Sequence, residues 1–272
     1  MYKLFYNFVN LFKKKNDLII TIMAGGNGSR MKSMTPKVLH NFLNKPFIIR
    51  LISEMIKLKP KKLIIITGQH HDEIIKRCNE LIPELLNTHN IIFIKQSVQD
   101  GTGGAIKCCL SEYSPNDRVF ILNGDSPALH YNFIKPMIQT INEDFKNIIF
   151  TVKMENPTGY GRIIYKKESN NIIKNIVEEK ECDDEEKKIN IVNTGIYYLS
   201  GDTLIENIKH IKKKNNEYYL TALPCFCNFF HQIHEYRIPS VCNLYTRGIN
   251  TQEELQLLEC KIKYTKKDKL FN

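Results

Sequence analysis

The sequence predicts an α/β fold with a doubly wound, mostly parallel sheet. Three observations predict it. Short Ile-rich apolar runs recur along the first half, segments with helical apolar spacing fall between them, and glycine follows the first two runs.

The elements follow in order. Residues 17–23 (DLIITIM) form a short apolar run bounded by polar residues and then Gly25 and Gly26, which reads as a buried parallel strand. Residues 46–57 carry apolar groups at helical spacing. A second buried strand, 61–67 (KKLIIIT), ends at Gly68, and 72–86 reads as another helix. A third strand is expected over 90–96. A helix starts at Gly103 and runs to Leu110, and a fourth strand covers 117–125. The second half is more mixed. It predicts a strand at 147–154, a hairpin formed by 161–167 and 171–179, a strand at 189–200 and a helix at about 201–213. The acidic stretch 181–188 reads as an exposed loop or short helix.

The chain has 272 residues, enough for one large domain, here expected over 17–257. Residues 1–16 form an N-terminal extension, read as a docked amphipathic helix or a weak membrane or partner anchor. Residues 258–272 form a basic tail or helix. No run of about 18 apolar residues occurs, so no transmembrane segment is expected. The net charge of +10 first suggests nucleic acid, but the lysines fall in scattered clusters without interleaved aromatics. Solvated faces, and a composition rich in Asn, Ile and Lys, explain the charge without a nucleic-acid partner. The eight cysteines show no paired C-x-x-C spacing, so reduced thiols in a cytoplasmic protein are expected rather than zinc or disulfides.

The chemistry concentrates in MAGGNGSRM (23–31), directly after the first strand. Closely spaced glycines let backbone N–H groups approach a phosphate. The loop lacks the third glycine of a dinucleotide fingerprint and the G-K-[ST] of a Walker A loop. Arg30 and then Lys37 follow it instead. Two cations beside a phosphate cradle suit a departing pyrophosphate, whose charge builds during in-line attack. At the end of the fourth strand, NGD (123–125) places Asp125 where open α/β sheets hold ligands. That Asp can hold Mg²⁺, or it can cap a turn before Ser126-Pro127; the motif alone leaves both open.

The run MAGGNGSRMKSMTPKVLH resembles the signature of the sugar-1-phosphate nucleotidyltransferases. The likeness continues in order through QSVQDGTGGA (96–105), NGDSPAL (123–129), NPTGYGRI (156–163), IVEEKECDDEEKKINIVNTGIY (176–197), NNEYYLT (215–221) and RGINTQEEL (247–255). The set, over about 17–257, is most similar to the uridylyltransferase half of bacterial bifunctional N-acetylglucosamine-1-phosphate uridylyltransferases. The resemblance implies a three-layer nucleotidyltransferase fold with a Rossmann-like mixed, mostly parallel sheet and a small sugar-binding lobe. It implies transfer of UMP from UTP to N-acetylglucosamine 1-phosphate, with Mg²⁺ as cofactor.

By the same resemblance Met23, Ala24, Gly25, Gly26, Asn123 and Gly124 contact the nucleotide, and Arg30 and Lys37 act on its phosphates. Gln96, Gly101 and Thr102 read uracil, where an amide can meet both a donor and an acceptor of the ring. Gly161, Glu178 and Asn193 hold the sugar, and Asp125 and Asn250 ligate Mg²⁺. Three positions depart from the family's common pattern: Asn123 replaces an aromatic residue, Gly104 a His and Ala222 an Asp. No hexapeptide repeat is visible, so acetyl transfer is not expected. Glucose 1-phosphate or another sugar, dTTP in place of UTP, and a catalytically silent nucleotide-sugar-binding role remain alternatives.

Overall fold

Strand β1 (Leu18–Ala24) sits inside the sheet with both faces covered, which is why it reads as an unbroken apolar run. Ile20 and Ile22 enter one core cluster, whereas Ile19 enters the cluster on the opposite face. This alternation is the period-two signature of a strand with helices on both sides. The computed structural model describes residues 17–26, 28–141, 146–167, 169 and 171–268. The expected N-terminal helix over 1–16 lies outside the described residues.

From β1 the chain passes a two-stranded ribbon, β2 (Asn41–Phe42) and β3 (Lys45–Pro46), into helix α1 (Phe47–Met55). Then follow β4 (Lys62–Thr67), α2 (His71–Leu81), α3 (Pro83–Thr88), β5 (Ile91–Lys95), α4 (Gly101–Cys108), β6 (Arg118–Asn123) and α5 (Tyr131–Thr140). The second half supplies β7 (Ile148–Lys153), β8 (Arg162–Tyr165), β9 (Ile172–Val177), β10 (Ile191–Ser200), α6 (Gly201–Asn207), β11 (Ile233–Ile238), α7 (Asn243–Thr246) and α8 (Gln252–Asp268). The nine-stranded sheet has the order β5-β4-β1-β6-β10-β7-β11-β9-β8. Neighbours among β5, β4, β1 and β6 are parallel; β10 runs antiparallel to both β6 and β7. The β8–β9 hairpin touches β11 at one end and returns to β10 through Val192 and Arg162, which extends the sheet beyond its parallel half.

Several expectations need correction. The helix expected over 72–86 is two helices. Pro83 disfavours helical geometry at Ile82, whose φ of −139° ends α2, and it occupies the first turn of α3. The helix expected from Gly103 begins at Gly101, and the one expected to about 213 stops at Asn207 with one 3₁₀ turn to His210. Strand β11 and helix α5 were not legible as elements. The expected break at 257/258 falls inside α8. Leu255, Leu258 and Ile262 on that helix join Met31, Phe42, Phe47, Ala128 and Ile249 in a third core cluster. The stretch 181–188 keeps its expected form, a mostly exposed loop with a short 3₁₀ turn at Glu186–Lys188, after a turn at Glu179–Glu181.

Candidate active site

A cleft opens at the carboxyl ends of β1, β5 and β6, where loops leave the parallel strands. It has two joined lobes of about 490 and 1310 Å³. Met23, Arg30, Thr102, Asn123, Asp125 and Asn250 line both lobes and so mark their junction.

The smaller lobe is built on the glycine loop. β1 ends at Ala24, and Gly25, Gly26 and Gly28 carry the chain along the wall of the lobe. The loop closes on a single turn, with Met31 N donating to Gly28 O at 2.9 Å. Met31 is buried in the third core cluster, so it pins the turn and leaves Arg30 exposed at the cleft mouth. Lys37 begins a 3₁₀ turn just after Pro36, whose φ of −53° sets the entry, and buried Val38 anchors it.

On the opposite wall, the Gln96 side chain is buried and committed. Its Nε2 donates to Asp100 Oδ1 at 3.0 Å and to Gly101 O at 3.1 Å. Both amide hydrogens are used, so Gln96 offers a ring only its oxygen. The expected two-sided reading by this amide is therefore replaced by a one-sided one, suited to a ring N–H. Gly101 has φ +90° and packs against the Tyr218 backbone and the Glu217 side chain. Thr102 Oγ1 accepts from Leu220 N at 2.9 Å, and Gly103 N donates to Tyr218 O at 2.7 Å. The 215–221 segment thus braces the start of α4.

Glu178, Gly161 and Asn193 come together in the larger lobe. Asn193 N donates to Gly161 O at 2.9 Å. The β10 register shifts between Asn193 and Ile196, where Gly195 adopts φ +75°. The bulge turns the Asn193 amide so that Oδ1 accepts from Gly195 N (3.0 Å) and Nδ2 donates to the Tyr197 hydroxyl (2.9 Å). Burial pushes the Tyr197 phenol well up. Glu178 follows directly after β9 and is mostly buried rather than solvated. Its Oε1 accepts from Thr221 Oγ1 at 2.7 Å. Burial pushes the Glu178 carboxyl up, Glu181 pushes it further, and the Thr221 hydroxyl opposes both.

Gly124 does not line either lobe. Its N–H donates to Met23 O at 2.9 Å, so it ties the ends of β1 and β6 together beneath the cleft. The lining also includes residues not singled out individually from sequence: Gln99 and Glu217 in the smaller lobe, and Tyr160, Tyr219, Thr221 and Arg247 in the larger. All lie within or beside the motifs quoted above, so their neighbours were the available signal.

Asp125 and Asn250 are separated in sequence but share a partner. Asp125 O accepts from Ile249 N at 2.9 Å, which draws the 247–250 loop across the cleft. Asn250 N donates to Glu254 Oε2 at 2.6 Å, at the start of α8. Lys37 Nζ lies 2.5 Å from Asp125 Oδ2 and 2.9 Å from Asn250 Oδ1. The second Asp125 oxygen, Oδ1, is buried with no hydrogen-bond partner among the described residues. Two hard oxygens converging on one cation, beside an unpaired carboxylate oxygen, fit a Mg²⁺-like ion. No cluster of three or more His, Cys, Asp or Glu suited to a metal occurs among the described residues. An ion here would therefore take its remaining ligands from phosphate and water.

The nucleotidyl transferase family profile matches residues 20–228. The chain is 36% identical to a "probable UDP-N-acetylglucosamine pyrophosphorylase" of Acanthamoeba polyphaga mimivirus, over 89% of this chain and 95% of that protein. It is 33% identical to the "bifunctional protein GlmU" of Francisella tularensis subsp. novicida, over 89% of this chain but 51% of that protein. The chain thus spans about half the length of the bifunctional relative. Among solved structures, apo UDP-glucose pyrophosphorylase superposes with a TM-score of 0.67 at 16% identity, covering 92% of this chain and 98% of that one. HddC from Yersinia pseudotuberculosis gives 0.64 at 22%, covering 90% and 99%. At these identities the structural likeness establishes the fold alone.

Proposed function

The chain belongs to the nucleotidyl transferase family, and on that premise we propose that it transfers UMP from UTP to N-acetylglucosamine 1-phosphate. The products are UDP-N-acetylglucosamine and pyrophosphate. The observation that carries this reading is the two-lobed cleft, in which a phosphate-cradling loop with Arg30 and Lys37 meets a sugar-sized lobe across the Asp125–Asn250 pair. The name borne by its viral relative favours N-acetylglucosamine over glucose.

UTP occupies the smaller lobe, its uracil N3–H on the Gln96 oxygen and its phosphates along Gly25 to Gly28. The sugar 1-phosphate occupies the larger lobe. There Glu178 accepts from sugar hydroxyls and the Asn193 side chain faces the ring substituents. An oxygen of the sugar phosphate attacks the α-phosphorus of UTP as the α–β bridging P–O bond breaks. The sugar phosphate is an adequate nucleophile, so no covalent intermediate on the chain is needed. Arg30 and Lys37 neutralise charge gathering on pyrophosphate, and the cleft holds both partners in line. Asp125 and Asn250 would hold Mg²⁺, which would supply charge neutralisation on the phosphates.

The test is pyrophosphate release with UTP and N-acetylglucosamine 1-phosphate, each omitted in turn. Release must require both substrates and Mg²⁺. Lys37→Met and Asp125→Asn should each lower kcat at least 100-fold, the scale of losing one preorganised electrostatic group (roughly 2.7 kcal/mol or more). Full activity in either variant contradicts the assignment. UDP-glucose pyrophosphorylase is the competing reading, since that enzyme shares the fold.

A further inference from the structure

Lys37 stands where a metal ion bridging Asp125 Oδ2 and Asn250 Oδ1 would sit. Its ammonium touches both oxygens that converge in the cleft, Asp125 Oδ2 at 2.5 Å and Asn250 Oδ1 at 2.9 Å. A Mg²⁺ ion on the same two oxygens would lie about 2.1 Å from each. The ammonium nitrogen and the ion would then overlap, so only one of them can occupy that point. The Lys37 side chain is only 11% exposed, and its stem is confined. Val38 is buried behind it, and a Cβ built on Gly28 would lie only 2.6 Å from the Lys37 Cβ. The free end of the side chain is the part that can move.

We propose that Lys37 is an internal counter-cation that closes the Asp125–Asn250 pair to divalent metal until a nucleoside triphosphate draws its ammonium away. This rests on the reading of the smaller lobe as a nucleotide site. Lys37, Arg30 and the glycine loop line that lobe together, so arriving phosphates give the ammonium a second, stronger anionic partner. When Nζ moves to them, Asp125 loses its counter-charge and the two oxygens become ligands. The exchange is a linkage: whatever pulls Lys37 off the pair favours metal, and metal on the pair favours Lys37 on phosphate. Lys37 thus acts as a positioning residue in the free chain and on substrate phosphate in the loaded one. Free metal would not fill the site ahead of the nucleotide.

The experiment measures Mn²⁺, as the spectroscopic probe, binding to the full-length nucleotide-free protein. Wild type, Lys37→Met and Lys37→Met/Asp125→Asn are compared by electron paramagnetic resonance and calorimetry. The expected result is weak Mn²⁺ binding by wild type, at least tenfold tighter binding by Lys37→Met, and loss of that gain in the double variant. Affinities within twofold of each other for wild type and Lys37→Met overturn the proposal. A second measurement uses wild type alone: crystals soaked in Mn²⁺ with and without a non-hydrolysable UTP analogue. The anomalous peak between Asp125 and Asn250 should appear only with the analogue, with Nζ displaced from Asp125. A peak of equal occupancy without nucleotide also overturns it. Binding of UTP to wild type without metal is measured alongside. If UTP fails to bind, the nucleotide reading falls, while the Mn²⁺ comparison still decides the exchange.

Discussion

Alanine at Gly101 and at Gly26 should fail in opposite ways. Gly101 holds φ +90°, and a Cβ there would stand 2.6 Å from Tyr218 O and 3.0 Å from the Glu217 Cβ. The backbone must shift to accept it. A left-handed conformation costs an L-residue roughly 1–2 kcal/mol, and overpacking a fixed wall costs about 1–3 kcal/mol. Gly101→Ala should therefore lose about 2–5 kcal/mol of folding stability, a Tm fall of roughly 5–15 °C for a chain of this size. It should also disturb the Gln96 contact to Gly101 O. Gly26 is exposed in the cleft wall, and a Cβ there would meet nothing within 4 Å. Gly26→Ala should leave stability within about 0.5 kcal/mol, yet put a methyl group where the phosphates are read to lie. Its UTP affinity should fall at least tenfold, about 1.4 kcal/mol. Urea unfolding followed by circular dichroism gives the first quantity and calorimetric titration with UTP the second. If Gly101→Ala unfolds with the wild-type midpoint, the packing argument is refuted. If Gly26→Ala binds UTP normally, the loop is not the phosphate cradle.

Two further substitutions probe the sugar-binding carboxylate and helix α8. Glu178→Gln should raise stability at pH 7, because burial has pushed that carboxyl up and its ionised form is held against that cost. The sign follows from a folded-state pKa above the unfolded one. Stability from this group is full below the ordinary carboxylate range and is lost as pH rises through the elevated value. The advantage of Gln should thus vanish at acidic pH, while KM for the sugar phosphate rises; thermal melts from pH 4 to 8 and steady-state kinetics check both. Leu258→Ala, at a position 2% exposed, should cost about 2–4 kcal/mol, whereas Leu257→Ala, at 47%, should stay within about 0.5 kcal/mol. Equal urea midpoints for the two would mean α8 is not part of the domain's core.

The parallel half was legible because its strands are covered on both faces and therefore continuous in Ile and Leu, as β1, β4 and β6 are. Strand β11 (IHEYRI) carries His, Glu and Arg, and between Ile233 and Ile238 its residues are partly buried or, at Arg237, exposed, so no apolar run announced it. The break at Pro83 was readable from the backbone rule but was masked by continuous helical spacing on either side. In the cleft, the glycine loop, Arg30, Lys37 and Asp125 lie close to one another in sequence or at a strand end, where local reasoning works. Asn250 and Glu178 owe their position to long-range contacts, Ile249 N to Asp125 O and Thr221 Oγ1 to Glu178, which only the order of the motifs hinted at. At Gly104, one of the departures, a larger residue would displace the Asp100 side chain. A Cβ there would fall 1.8 Å from Asp100 Oδ1, the atom that holds the Gln96 amide.

The central claim is that the two lobes unite UTP with N-acetylglucosamine 1-phosphate. Its most direct measurement is a competition: limiting UTP, Mg²⁺, and equal concentrations of N-acetylglucosamine 1-phosphate and glucose 1-phosphate, with the nucleotide sugars quantified by mass spectrometry. The product ratio is the ratio of the two kcat/KM values. UDP-N-acetylglucosamine is expected as the main product, with stoichiometric pyrophosphate. A predominance of UDP-glucose, or no nucleotide sugar at all, contradicts it.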